Sequence, residues 1–245
     1  MLALPKVIGH RGARAHAPEN TLAGIRTAAA QGARWVEVDV KLTRDGVPIL
    51  MHDDEVDRTT NGRGAVAKLD LADIRKLDAG IRFAPTFAGE PVPTLEETLA
   101  LVLDLNLGIN LEIKPCPGRE IETAVTALRL ARTLWPADRP PPLISSFEIA
   151  SLDAARTAAP DWPRGYLIDR RPRDWAAIAD RLEAATLNVN SRREREDSIR
   201  NYVATGRPVL VYTVNDRERV RQLFGWGATS VFTDMPQEIL AALDG

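Results

Sequence analysis

The strongest constraint on the fold is a regular alternation of short apolar runs with longer segments of helical periodicity. Eight runs rich in apolar and β-branched residues are predicted as strands, at 7–9, 35–40, 109–113, 143–147, 166–168, 187–190, 209–214 and 230–233. The spacing of apolar residues predicts helices at 21–31, 94–105, 120–134, 148–158, 173–184, 194–205, 217–224 and 237–243. Parallel strands need crossover connections, and eight such pairs in 245 residues match a (β/α)₈ TIM barrel in number and length. An open doubly wound sheet gives a similar pattern, and the strand count and chain length favour the barrel.

Two stretches depart from this alternation. Residues 47–51 form another apolar run, which the hairpin dipeptide Asp45-Gly46 joins to the second strand, so we predict an antiparallel extension above the barrel mouth. Residues 53–93 carry Gly and Pro punctuation and one short helical pattern at 71–77, without an evident core of their own. We therefore predict a single catalytic domain over residues 1–245, with 53–93 as a small and functional insertion after the second strand.

The charge balance argues against nucleic acid or a membrane surface as the partner. The chain has 34 acidic and 32 basic residues, and neither sign dominates a long stretch. We expect a small-molecule substrate and no stable membrane association.

The apolar residues 1–8 are followed by His10, Arg11 and Arg14 before a signal-peptide core could form, and the single cysteine, Cys116, excludes an intramolecular disulfide. Both features favour the cytoplasm.

The second predicted strand carries two acidic residues on one face. In Val36-Glu37-Val38-Asp39-Val40, alternation puts the valines on the helix-facing side and directs Glu37 and Asp39 into the barrel. Glu112 and Lys114 repeat this arrangement on the third strand. In isolation such a pair reads as a solvated polar face, but the flanking valines indicate a covered strand. One lysine cannot neutralise three buried carboxylates, so the pattern predicts either strong pKa shifts or a hard divalent cation such as Mg²⁺, Ca²⁺ or Mn²⁺.

Two of the three histidines fall at rim positions. His10 follows the first strand, and His52 closes the antiparallel extension, where Asp53 either orients its imidazole or begins the turn. Each histidine alone reads as structural, but beside the carboxylates the pair predicts an acid and a base, because the ordinary pKa of imidazole is about 6.5. His16 has no comparable context and reads as a loop residue.

Two cationic side chains complete this predicted site. Arg11 and Lys114 suit phosphate oxygens, the first as a fork of donors and the second as a point charge. With the carboxylates and histidines they form an apparatus for cleaving a phosphodiester. The sequence has no Walker-type glycine loop, so nucleoside triphosphate chemistry is not indicated.

At this point the sequence resembles the glycerophosphodiester phosphodiesterase family, most of all its small cytoplasmic bacterial members. The shared motifs are His10-Arg11-Gly12, Pro18-Glu19-Asn20-Thr21, Glu37-x-Asp39, His52-Asp53, Leu111-Glu112-Ile113-Lys114, Ser146-Phe147, Tyr212-Thr213-Val214-Asn215 and Thr233-Asp234. The resemblance implies a barrel of the phosphatidylinositol phospholipase C type. It also implies one divalent cation held at Glu37, Asp39 and Glu112, acid/base roles for His10 and His52, and phosphate contacts from Arg11 and Lys114.

The same resemblance implies the reaction. A hydroxyl of the glycerol attacks phosphorus to give a cyclic phosphate, and water then releases sn-glycerol 3-phosphate, the alcohol having already departed. Phe147 and Tyr212 are candidate substrate-binding residues, although Phe147 also suits barrel filling and many relatives carry tryptophan at Tyr212. Asn20 is expected mainly to cap the first helix. A lysophospholipase D on the same barrel and a barrel without turnover are the alternatives.

Overall fold

The computed structural model describes residues 2–244, so the predicted domain limits, Met1 and Gly245, lie outside the described residues. A closed parallel barrel forms its centre, which confirms the predicted (β/α)₈ fold. Its eight strands are β1 (Val7–His10), β2 (Trp35–Leu42), β4 (Gly108–Ile113), β5 (Leu143–Ser146), β6 (Arg164–Ile168), β7 (Thr186–Asn190), β8 (Val209–Tyr212) and β9 (Ser230–Thr233). Neighbours pair in chain order, and β1 closes the ring by pairing with both β2 and β9.

The helices cover the outside of the barrel, except the short second helix, whose Ile74 packs in a separate apolar cluster with Ile49 and Val56. They are α1 (Leu22–Ala30), α2 (Leu71–Ile74), α3 (Leu95–Asp104), α4 (Glu120–Leu134), α5 (Ile149–Ala158), α6 (Trp175–Arg181), α7 (Glu196–Val203), α8 (Arg217–Gly225) and α9 (Pro236–Asp244). Helix α3 begins with a capping box, in which Thr94 and Glu97 exchange hydrogen bonds. Among residues 2–244, none of the helices is both long and apolar enough to cross a bilayer.

Strand β2 explains why the site lies where it does. Val36, Val38 and Val40 are fully buried in the apolar layer between the barrel and helices α1, α3 and α4. Burying each valine contributes about 1.5–3 kcal/mol, so this face fixes the register of the strand. A shift by one residue would exchange the valines for Glu37 and Asp39. The apolar face therefore places both carboxylates inside the barrel.

The predicted antiparallel extension is present at the barrel mouth. Strand β3 (Pro48–Leu50) pairs antiparallel with β2. The following segment up to α3 contains α2 and packs a small apolar cluster that includes Val56, Val66 and Ile74. Ile49, Met51 and Cys116 belong to the same cluster, so the apolar residues of this segment pack against β3 and the loop after β4 and not around a separate core.

Candidate active site

Three carboxylates lie together on the neighbouring strands β2 and β4. The register pairs Asp39 with Glu112, and the nearest carboxylate oxygens of Glu37, Asp39 and Glu112 all lie within 4.8 Å of one another. All three residues are buried. The alternation on each strand thus brings together the acids that the sequence analysis singled out.

The surroundings shift the pKa values of the three carboxyl groups in different directions. Burial, followed by the charges of Asp39 and Glu112, raises the pKa of Glu37 well above its ordinary value. Burial and then Asp39 raise the pKa of Glu112 to about 7. Burial also acts to raise the pKa of Asp39, but Arg11 and Lys114 outweigh it and lower that pKa. Burial and the neighbouring negative charges therefore raise the pKa of two of the three carboxyl groups, while the two cationic side chains keep that of Asp39 low.

The donor set of the cluster fits a hard divalent cation. Carboxylate oxygens are the ligands that Mg²⁺, Ca²⁺ and Mn²⁺ prefer. Among the described residues, the buried Glu37 Oε1 has no hydrogen-bond partner. An unpaired buried carboxylate oxygen is costly, and a cation at this point would satisfy it.

His10 is held by a residue from the other end of the chain. Its Nδ1 lies 2.7 Å from Asp234 Oδ1, just past β9, and Asn215 Nδ2 donates to the second oxygen of Asp234 at 2.7 Å. Burial lowers the pKa of His10, and the hydrogen bond to Asp234 offsets this only in part. An ionised Asp234 fixes the proton on Nδ1 and leaves Nε2 as the free nitrogen.

His52 has a local partner of the same kind. Its Nδ1 lies 2.6 Å from Asp53 Oδ1, so Asp53 orients the imidazole and does not simply begin a turn. Burial is again the largest influence and lowers the pKa of His52, although the charge of Asp39 acts against it. Both histidines line one cavity of about 340 Å³, together with Glu37, Glu112 and Lys114.

The loop after β1 contacts the acidic cluster through Arg11, a residue with a left-handed backbone conformation. Arg11 has φ of +52°, a left-handed conformation that costs free energy for a side chain other than glycine. It allows the Arg11 N–H to donate to Glu37 Oε2 at 2.9 Å. The Arg11 guanidinium lies 3.1 Å from Asp39 and donates to Glu19 at 2.8 Å. Gly12 is required because a Cβ there would lie 2.5 Å from the backbone carbonyl carbon of Gly24.

The expectation that Asn20 mainly caps the first helix was wrong. Thr21 is the N-cap residue of α1, and its side chain accepts from Gly24 N. Asn20 has φ of +55°, and its amide donates to Asp39 Oδ2 at 2.8 Å and accepts from Asp39 N at 3.1 Å. The left-handed backbone turns this side chain toward β2. Asn20 therefore holds a cluster carboxylate.

Lys114, Phe147 and Tyr212 lie on the wall of the cavity. Lys114 Nζ donates to Glu112 Oε1 at 2.9 Å and lies 5.0 Å from the centre of the Phe147 ring. The rings of Phe147 and Tyr212 meet edge to face at 5.7 Å. The Tyr212 hydroxyl donates to Ile168 O at 3.0 Å, so its ring is what faces a ligand.

The chain is similar to known proteins over nearly its whole length. The profile described as the Glycerophosphoryl diester phosphodiesterase family matches residues 10–238. The chain belongs to this family. A glycerophosphodiester phosphodiesterase of Caldanaerobacter subterraneus subsp. tengcongensis is 35% identical to it over 238 residues, which are 96% of each chain. A glycerophosphodiester phosphodiesterase of Bacillus subtilis is 33% identical over 245 residues, covering 94% of this chain and 83% of that one.

The structural similarity of this family member to a solved protein is also close. A phosphodiesterase of Oleispira antarctica, in complex with the product sn-glycerol-3-phosphate, superposes with a TM-score of 0.96 at 38% identity. The match covers 99% of this chain and 98% of that one. Family membership confirms the predicted resemblance and the prediction of a phosphodiesterase.

Sequence reasoning left two contributors to this phosphodiesterase site without a role. Asp234 holds His10, and the one signal for it was its place just after a predicted strand, within the Thr233-Asp234 motif. Arg58 lies in the insertion and donates to Asp53 and Glu19. No local pattern marks it, because both of its partners come from other loops.

Proposed function

We propose that the chain hydrolyses glycerophosphodiesters to an alcohol and sn-glycerol 3-phosphate, using a divalent cation and the two histidines. One observation carries the proposal: His10 and His52, each with its own carboxylate, line the same cavity as Glu37 and Glu112 of the acidic cluster. The Oleispira antarctica relative, which holds sn-glycerol-3-phosphate as product, supports the choice of substrate.

In this proposal Glu37, Asp39 and Glu112 hold Mg²⁺, Ca²⁺ or Mn²⁺. The cation would polarise a non-bridging phosphate oxygen and neutralise charge that develops on it. Arg11 and Lys114 place two permanent positive charges beside the same position and bind the phosphate. The aromatic rings of Phe147 and Tyr212 form the wall against which the glycerol lies.

The histidines move the protons. The Nε2 atom of one histidine removes the proton from a glycerol hydroxyl. The oxygen of that hydroxyl bonds to phosphorus, while the bond between phosphorus and the oxygen of the departing alcohol breaks. The second histidine gives its proton to the departing alcohol oxygen. Water then opens the cyclic phosphate with the two roles reversed. Because nucleophile and phosphate belong to one molecule, orientation in the cavity lowers much of the barrier.

The test is release of sn-glycerol 3-phosphate from glycerophosphocholine and glycerophosphoethanolamine by the purified protein. The assay is run with chelator and then with Mg²⁺, Ca²⁺ or Mn²⁺ restored separately. We expect no turnover with chelator and recovery with at least one cation. A cyclic intermediate is checked by phosphorus NMR during turnover. Inactivity with every cation would overturn the proposal.

A lysophospholipid is the second candidate substrate, and one observation favours it. Ile81 and Phe83 of the insertion are about two-fifths exposed, at 40% and 41%. Phe83 lines a neighbouring cavity with Arg14 and Asp234, which also line the main one. Comparing kcat/KM for lysophosphatidylcholine and glycerophosphocholine separates the candidates. A Phe83→Ser variant should lose only the lysophospholipid activity.

We also propose that residues 1–245 act as a single catalytic domain, with 53–93 as an insertion, and that it works in the cytoplasm. The insertion packs on β3 and supplies Asp53 beside a histidine, which ties it to the barrel. Limited proteolysis checks the first statement: rapid separation of two stable fragments would contradict it. Fractionation of cells checks the second, and recovery with the membrane or the medium would contradict it.

A further inference from the structure

Arg58 of the insertion joins two loops of the active site. Its Nε and Nη2 donate to the two carboxylate oxygens of Asp53 at 2.6 and 3.1 Å. Its Nη1 and Nη2 donate to the two oxygens of Glu19 at 2.8 and 2.7 Å. One guanidinium therefore binds the carboxylate of Asp53, in the loop after β3, and that of Glu19, in the loop after β1.

Each of these carboxylates holds a residue that the proposed function uses. Asp53 accepts from His52 Nδ1 at 2.6 Å, and Glu19 accepts from Arg11 Nη1 at 2.8 Å. The contacts form one chain, from His52 through Asp53, Arg58 and Glu19 to Arg11. Two loops that are distant in sequence thereby share one rigid connection.

The residue type suits this connection. Arginine has a planar fork of five donors and can bind two carboxylates at once, whereas a lysine ammonium is a point charge. With two acids facing each other, removing the guanidinium would leave like charges together. The hydrogen bond from Arg58 is the largest influence on the pKa of Asp53 and lowers it to about 2, so the partner of His52 stays ionised.

The contribution of Arg58 to folding is small by comparison. Its side chain is 44% exposed, and ion pairs at such exposure contribute little to stability because water screens them. Within residues 2–244, its recorded hydrogen bonds go to Asp53 and Glu19 and to none of the acidic cluster. Its geometry matters mainly for the two active-site loops.

We propose that Arg58 is a positioning residue for catalysis, which holds His52 through Asp53 at a fixed distance from the Arg11 loop. This inference rests on the proposed function. In this proposal the insertion, through Arg58, holds the imidazole of His52 in position.

The test is an Arg58→Ala variant beside a matched Arg44→Ala control. Arg44 also pairs with a carboxylate of the insertion, Asp70, but neither residue of this pair lines the catalytic cavity. We expect Arg58→Ala to lower kcat by about 10-fold, as much as the loss of the Asp53 carboxylate through which it acts, with KM within about threefold. Arg44→Ala should leave both constants unchanged. Melting temperatures of the two variants should agree, and the cation dissociation constant should equal that of the wild type.

Two further variants separate positioning from charge and from folding. Arg58→Lys keeps the charge but not the fork, and its kcat should lie nearer to that of Arg58→Ala than to the wild type. In an Asp53→Asn background, Arg58→Ala should cost less than about threefold, because its route to His52 is already lost.

A kcat for Arg58→Ala or Arg58→Lys within twofold of wild type, or full additivity with Asp53→Asn, would overturn this inference. A melting temperature of Arg58→Ala far below that of Arg44→Ala would overturn it too, in favour of a structural role. An inactive wild-type protein would instead contradict the proposed function, so the two failures are distinguishable.

Discussion

The two histidines face one cavity but are held by different parts of the molecule. His10 ends a barrel strand, is 12% exposed at its side chain, and is bonded to Asp234, which lies 224 residues away in the sequence. His52 follows the antiparallel extension, is 29% exposed, and is bonded to its own neighbour Asp53. The first is fixed by closure of the barrel and the second by a local turn with its arginine brace.

This difference teaches that similar chemistry does not require similar surroundings. The buried His10 region relies on strand pairing that is shared with the whole fold. The His52 region relies on short-range contacts that water can enter. Regions of the second kind open more readily and tolerate change more easily.

The largest expected effect tests whether both regions are equally necessary for catalysis. His10→Ala and His52→Ala should each lower kcat by about 10²- to 10⁴-fold, because each histidine carries a proton that the other cannot. The fold should remain, as measured by circular dichroism. A rate near wild type for either variant would remove that histidine from the acid/base pair.

The next effect concerns the acids that lie between the two regions. Glu112→Ala should weaken cation binding by at least about 100-fold, since it removes a ligand, and calorimetry measures this directly. In the wild type, affinity should rise as the pH passes through about 7, because the cation must displace the proton that Glu112 holds below its raised pKa of about 7. Unchanged affinity in the variant would remove Glu112 from the ligand set.

A smaller effect should distinguish the two orienting carboxylates. In Asp234→Asn one carboxylate oxygen becomes an NH₂ group, which must face either the NH₂ of Asn215 or Nδ1 of His10. If it faces His10, it donates to Nδ1 and thereby reverses the imidazole tautomer. We expect a kcat loss of about 100-fold for it and about 10-fold for Asp53→Asn, since water can replace a partner of the more exposed His52. Steady-state kinetics of both variants check the order. Equal losses would mean that the two regions do not differ in rigidity.

The smallest effect is on stability against pH. A histidine whose pKa is lowered in the folded state binds protons more readily when unfolded, so acidification below about pH 6.5 favours unfolding by at most about 1.4 kcal/mol per pH unit. Stability from this source is present above the unfolded pKa and is lost as the pH falls. Urea unfolding of the metal-free protein should show a flatter pH dependence for His10→Ala than for wild type, and His52→Ala should flatten it less. A larger change for His52→Ala would reverse the assigned order of burial.

Much of the fold was predictable because it depends on local patterns. The alternation in residues 36–40 indicates a strand covered on both faces, and Asp45-Gly46 indicates the turn that follows it. Both predictions needed only neighbouring residues. The clustering of Glu37, Asp39 and Glu112 followed once the strands were taken as parallel neighbours.

The rest of the site depends on contacts that no local pattern encodes. Asp234 meets His10 only because β9 pairs with β1, and Arg58 meets Glu19 only because the insertion folds back over the barrel mouth. Asn20 looked like a helix cap because its type favours that position. Its left-handed backbone, which its sequence position did not reveal, directs the amide to Asp39 instead.

The seam between β1 and β9 has a consequence for the order in which the protein is made. When the ribosome has synthesised the chain through β8, His10, His52 and the acidic cluster are present, but Asp234 and the strand that precedes it are not. The nascent chain at that stage has an open sheet and an unsupported His10. Activity therefore requires translation to continue past β9 and Asp234, and a chain truncated directly after Asp234 tests whether α9 is needed as well.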